Sequence, residues 1–245
     1  ALADALGERV KTGVNVRRIK KTLHGFSIDT EDKSKLRARA IVVATQPHVA
    51  AELLEDVDVY SSHTASEIEA PPLAVVYFGF KRKDVEHPLD GLGFLAPESE
   101  KLSMSGSQFC STMFPGRAPQ DCVSMAGYFG GARAPELAQL PAADLTEIAR
   151  REFKDLVGAK GEPVVSRVRH WPRGLPQYKI GHTDRVQTML KANQRVPGLF
   201  LTGNYICGPS VAVCVDQAGK TAVNVANHLD AHVPSDMEQT QKAAM

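Results

Sequence analysis

Two short, unbroken apolar runs constrain this chain most: Ala40-Ile41-Val42-Val43-Ala44-Thr45, and far downstream Leu199-Phe200-Leu201-Thr202-Gly203. The first suits a strand covered on both faces, as in the parallel sheet of an α/β layer. Pro47 follows it at the start of a helix running to about Leu54, the position proline favours. The second run ends in glycine and leads through a loop, 203–210, into a last helix, about 213–229. Between the runs the texture differs. Residues 73–80, 91–95, 109–114 and 123–129 read as strands separated by short gaps, which favours an antiparallel sheet. Residues 141–157 form the clearest helix, with Leu145, Ile148, Ala149, Phe153 and Leu156 on one face and Gly158 at its end. The layout is α/β-like, then antiparallel sheet plus helix, then α/β-like again. The outer pieces are expected to form one domain that the middle piece interrupts.

Smaller features fill the frame. Residues 2–7 read as a helix end stopped by Gly7. Val10, Val14, Val16 and Ile19 begin a meander that turns at Gly25 and returns through Phe26, Ile28 and Thr30, and the charged run 31–39 reads as its solvated edge. Residues 58–70 are polar without a clear period. Residues 164–168 read as a strand before the irregular 171–176, and a helix is expected over about 184–192. A disordered tail is expected over 231–245.

Composition excludes several classes. With 29 Lys+Arg against 28 Asp+Glu and 43% hydrophobic residues, the chain has neither the charge of a disordered segment nor a global footprint for nucleic acid. No nucleic-acid partner is expected. No apolar run reaches the ~20 residues that span a bilayer, and the first ten residues do not read as a signal peptide. The four cysteines, Cys110, Cys122, Cys207 and Cys214, show no metal-type spacing. They read as small core residues in a reducing, cytosolic setting.

No short catalytic motif is present: no GxSxG, HExxH, Walker loop or GxGxxG. The most informative stretch is 203–219. There a strand enters a glycine loop and then a helix whose N-terminal amides, near Ser210, can hold a phosphate or an electron-rich ring edge. From the residues alone, an ordinary strand–helix connection capped by Ser210 is the simpler reading. His182 reads as a turn cap, Trp171 as a packing residue, and Arg167, Arg169 and Arg173 as a solvated face.

Three stretches together resemble the protoporphyrinogen oxidase family, within the flavin monoamine-oxidase-like superfamily. They are Gly91-Leu92-Gly93-Phe94-Leu95-Ala96-Pro97; residues 109–117 with Gly130-Gly131-Ala132-Arg133; and Leu175-Pro176-Gln177-Tyr178 with Gly181-His182, continuing through Pro197-Gly198-Leu199-Phe200, Gly203-Asn204-Tyr205, Gly208 and Val211. The likeness runs from about 1 to 229 and covers the family's C-terminal half.

The resemblance implies a fold of mixed α+β and α/β class. A partial FAD-binding, glutathione-reductase-like domain would occupy 1–57 and 164–230, and an antiparallel-sheet substrate domain 58–163. It implies FAD as cofactor, met by Val16 at the adenine end, by Trp171, and by Pro209, Ser210 and Val211 at the flavin ring. Pro209 stands where the family has a small apolar residue, and it has no N–H to offer. Leu95, Gln108, Tyr128 and Gly130 would meet a tetrapyrrole, with Gln108 in place of the family's aliphatic residue. The reaction implied is hydride transfer from a porphyrinogen carbon to the flavin, which oxygen reoxidises with release of hydrogen peroxide. The cofactor carries that chemistry and the protein orients and shields, so no catalytic acid or base is expected. Alternatives are a related flavin amine oxidase or desaturase, or a non-catalytic tetrapyrrole-binding fragment. A cytoplasmic protein is expected, with peripheral membrane contact, which associates with a missing N-terminal half or with a second copy.

Overall fold

A computed structural model describes residues 1–231; the tail expected over 231–245 lies outside the described residues from 232 on. The chain divides into two compact units, residues 1–69 with 178 onward, and residues 70–177.

The first unit opens with helix α1 (Leu2–Leu6), closed by Gly7 at φ 54°. Strands β1 (Val16–Thr22), β2 (Gly25–Thr30) and β3 (Lys35–Ala38) form an antiparallel sheet. The charged run is thus a third strand, because Lys35, Leu36, Arg37 and Ala38 register against Asp29 through Phe26. Strand β4 (Ile41–Val43) and helix α2 (Pro47–Leu54) follow, with Pro47 in the first turn as expected. The polar stretch then forms helix α3 (Val59–Ser66), not a loop. Its entry is fixed by Asp58, which accepts from Ser61 Oγ at 2.7 Å and from Arg195 Nη2 at 2.6 Å.

The second unit is a five-stranded antiparallel sheet in the order β6-β7-β8-β5-β9. Its elements are β5 (Leu73–Lys81), β6 (Gly93–Leu95), β7 (Met104–Gln108), the helical turn α4 (Cys110–Met113), β8 (Cys122–Gly130), α5 (Ala142–Val157) and β9 (Val165–Trp171). The strand expected over 109–114 is therefore displaced: pairing ends at Gln108, and Phe109 turns inward to be buried while the chain winds into α4. Along β5, Ala74, Val76, Phe78 and Phe80 alternate into a core shared with Met104, Met125, Phe129, Leu145, Ala149 and Phe153. Phe78 and Phe153 meet edge to face at 5.9 Å. Glu152, buried on α5, accepts from the amides of Ser103 at 2.7 Å and Met104 at 2.9 Å and so fixes the start of β7.

The chain re-enters the first unit with α6 (His182–Leu190), α7 (Ala192–Arg195), β10 (Leu199–Leu201), α8 (Asn204–Cys207) and α9 (Val211–Ala231). Strand β10 pairs in parallel with β4, Phe200 opposite Val42. The two apolar runs thus lie side by side. The pair is open on one face, however: Val42 is 43% exposed, against the expectation of burial on both sides.

The unit boundaries fall at 69/70 and 177/178, not at 57/58 and 163/164. Helix α3 is tied to the first unit through Asp58 and Arg195, and β9 belongs to the second because it pairs with β5 along its whole length. The cysteines are half-buried and outside both core clusters, which corrects their reading as core residues. Among the described residues no helix is long and apolar enough to cross a membrane, and no group of three potential metal ligands occurs.

Candidate functional site

The expected substrate residues gather on one face of the second unit's sheet. Register places Leu95 opposite Gly106, Gly106 opposite Tyr128, Tyr128 opposite Val75, and Val75 opposite Arg169. Directly paired residues share a face, and so do residues two apart along a strand. Leu95, Tyr128 and Arg169 therefore stand in one row across five strands. Gln108 and Arg167 lie in the next row on one side, Gly130 and Trp171 in the next on the other. This face is opposite to the one that packs on α5, since Ala74, Val76 and Phe78 point the other way.

The side chains of that face make an open platform. Leu95 is 89% exposed. Tyr128 donates its hydroxyl to Gln108 Oε1 at 2.5 Å, which holds the ring in place. Burial pushes the Tyr128 phenol up, and the nearby Cys110 thiol adds to it, so the hydroxyl stays protonated. The Arg169 guanidinium lies 4.8 Å from the Trp171 ring centroid, a cation–π pair. Gly106 sits at the centre of the row, and a Cβ there would meet Phe94 O at 2.6 Å. Gly130 has φ 94°, and a Cβ would meet Ala138 Cβ at 2.5 Å. The bare backbone at Gly130 is thus required by packing within the unit itself.

The expected flavin-ring residues lie in the first unit, at the start of α9. Gly203 and Gly208 hold φ of 145° and 126°, conformations that side chains disfavour, and they bracket the turn α8. Ser210 Oγ accepts from the Val213 amide at 3.2 Å, and the Ser210 carbonyl accepts from Cys214 at 3.1 Å. Ser210 is therefore the N-cap, and the Val211 and Ala212 amides lie ahead of the first intrahelical bond. Pro209 contributes no amide, as expected from its ring. Beside these donors Val211, 80% exposed, and Val215 leave an open apolar surface. Within α9 only Thr221 is buried. Val16 is also in the first unit, at the exposed start of β1, whereas Trp171 belongs to the second.

His182 opens α6 and stacks on Tyr178 at 4.4 Å, while Tyr178 donates its hydroxyl to the Asn204 carbonyl. Sequence reasoning missed Gly106 and the position of Arg169. The signal for Arg169 was present: Arg167, Arg169 and Trp171 alternate at strand spacing.

A family model for flavin-containing amine oxidoreductases matches residues 1–229. The chain is 30% identical over 243 residues to the chloroplastic protoporphyrinogen oxidase of Nicotiana tabacum, which covers 94% of this chain and 44% of that protein. It is 25% identical over 217 residues to the coproporphyrinogen III oxidase of Bacillus subtilis, covering 88% of this chain and 46% of that one. A crystal structure from Exiguobacterium, of a protein assigned as a protoporphyrinogen oxidase, superposes with a TM-score of 0.74 at 20% identity, covering 89% of this chain and 47% of that one. That last likeness is one of fold. The chain spans less than half the length of the curated relatives it matches.

Proposed function

Because the chain belongs to the family of flavin-containing amine oxidoreductases, we propose that it supplies the flavin-ring loop and the substrate face of an FAD-dependent porphyrinogen oxidase, acting on protoporphyrinogen IX with oxygen as acceptor. FAD is the cofactor of that family. The start of α9 suits such a group: capped helix amides adjoin apolar side chains that are open to a flat ring, and Gly208 keeps the approach free of a Cβ. Pro209, Ser210 and Val211 would hold the ring edge, and Val16, in the same unit, the adenine end. When bound, FAD supplies the two-electron acceptor. In this reading the first unit is a glutathione-reductase-like FAD domain in discontinuous pieces, with peripheral contact to a membrane.

The observation that carries the substrate is the row Leu95–Gly106–Tyr128–Val75–Arg169. Strands lie ~4.8 Å apart, so the row extends over roughly 19 Å. That accommodates a tetrapyrrole laid flat. Leu95 and the Tyr128 ring would pack on pyrrole rings. Gln108 fixes the Tyr128 ring, and Gly106 and Gly130 keep the backbone low. Arg169 and Arg167 would meet the carboxylates of the macrocycle's side chains, a pairing that favours guanidinium. Nothing on the face is poised as an acid or base: the Tyr128 hydroxyl is engaged with Gln108 and kept protonated.

The test is anaerobic mixing of the FAD-loaded protein with protoporphyrinogen IX. The flavin band should bleach, and air should restore it as repeated turnover raises porphyrin fluorescence. Bleaching by a primary amine and not by the porphyrinogen would replace this reading with an amine oxidase.

A further inference from the structure

Cys207, the last residue of α8, and Cys214, in the first turns of α9, converge across the turn 208–210. The two thiols are neighbours there. Both also point at one acceptor: the Gly208 carbonyl lies 4.0 Å from Cys207 Sγ and 3.5 Å from Cys214 Sγ. Cys207 Sγ donates in addition to the Gly203 carbonyl at 3.3 Å. Neither thiol is sealed in the core, and both are half-buried.

We infer that Cys207 and Cys214 form a peroxide-sensitive dithiol, a modification site that closes to a disulfide and clamps the turn carrying Pro209, Ser210 and Val211. Hydrogen peroxide is the oxidant. One sulfur attacks the O–O bond, becoming a sulfenic acid and releasing one water. The second thiol attacks that sulfur, displaces a second water, and completes the S–S bond. Two thiols are oxidised, one peroxide is reduced to two waters, and the two thiol hydrogens leave in the water.

The surroundings set when this happens. Burial pushes the Cys207 thiol up, and the Cys214 neighbour and Asp216 add to it; Tyr178 faces both thiols and Lys220 faces Cys207. The thiolate is the nucleophile, so the pair remains reduced near neutrality until peroxide is in excess. Oxidation quickens as pH rises, by about tenfold per unit while thiolate is the minor form. The closed bridge would span Gly208, which holds a φ of 126°. The inference needs no flavin and does not rest on the proposed reaction.

The experiment uses the 245-residue chain and added peroxide. Residues 196–220 form a single tryptic peptide that holds both cysteines. After peroxide treatment and alkylation, that peptide should lose two hydrogens and take no alkyl group, while Cys110 and Cys122 still alkylate. Phenylarsine oxide, which bridges paired thiols, should bind once per chain and protect both sulfurs. Cys207→Ser and Cys214→Ser should each abolish the mass loss and the arsenical binding, with melting curves confirming the fold. Separate sulfenic or sulfinic adducts on each sulfur would overturn the inference. So would arsenical binding that persists in both serine variants.

Discussion

The two units differ in how completely they enclose their apolar residues. In the second, one sheet face is closed by α5: Ala74, Val76, Phe78, Met104, Met125, Phe129, Leu145, Ala149 and Phe153 are all wholly buried. In the first, β1 buries only Ile19, β4 exposes Val42, and the 21-residue α9 buries only Thr221. Its core gathers around Phe26, Leu54, Met189 and Tyr205 and stops short of α9. The contrast teaches that the second unit is stabilised by its own packing, and that the first keeps apolar surface open for something else to cover. Large exposed apolar surface is a mark of a ligand or interaction site. In the second unit the open surface is instead the platform opposite α5, where the exposed groups are mixed: Leu95, Gln108, Arg169 and Trp171.

The sharpest way to break this comparison is to damage the closed core. Phe153→Ala removes a wholly buried ring that packs edge to face on Phe78. It should destabilise the second unit by about 4 kcal/mol, read as a lowered midpoint in urea unfolding followed by circular dichroism. A cost near zero would mean that this core is no more complete than the first unit's.

Next is the buried ion pair of the first unit. Burial by itself would raise the Asp58 carboxyl, but hydrogen bonds from Arg195 and Ser61 and the Arg195 charge outweigh it and hold it below the ordinary carboxylate range. A depressed carboxyl contributes stability that is fully present above its unfolded pKa and is lost as pH falls through its folded pKa. Asp58→Ala leaves the Arg195 guanidinium unpaired and should cost about 3 kcal/mol at neutral pH. The difference from wild type should shrink as the pH drops below about 4. A pH-independent cost would assign the effect to packing.

The smallest expected effect falls on the open helix. Val215→Ser changes an exposed side chain, so stability should move by less than about 0.5 kcal/mol. Binding of a hydrophobic dye to the chain should nevertheless fall. A large loss of stability would show that α9 is covered by more than its own unit provides.

The contrast also explains what the sequence made legible. Helix α5 was readable because Leu145, Ala149 and Phe153 recur at helical spacing against a charged face, with Gly158 at the end. The parallel pairing of β4 with β10 was foreshadowed by two apolar runs 158 positions apart, at 41 and 199. Helix α3 was not readable, because its stability lies in tertiary contacts of Asp58 with Arg195, 137 residues away, and not in an apolar stripe. The displaced strand at 109–114 has a similar cause. Phe109 and Phe114 look like strand residues, yet the ladder ends at Gln108 and Phe109 is buried as a turn residue. At the site, Leu95, Gln108, Tyr128, Gly130 and Trp171 were named from a resemblance, and their common face emerges only from the register. That register depends on an irregularity between Met104 and Gly106 which no local pattern announces.

The proposed function turns on whether the loop before α9 receives the flavin. Titration of FAD with the desalted chain, followed by flavin fluorescence, tests it most directly when wild type is set beside Ser210→Ala. Loss of the cap should cost the helix only about 1 kcal/mol, leaving the fold intact while the amide donors lose their alignment. Wild type should bind saturably, and the variant severalfold more weakly. No saturable binding, or equal binding by both, would contradict it.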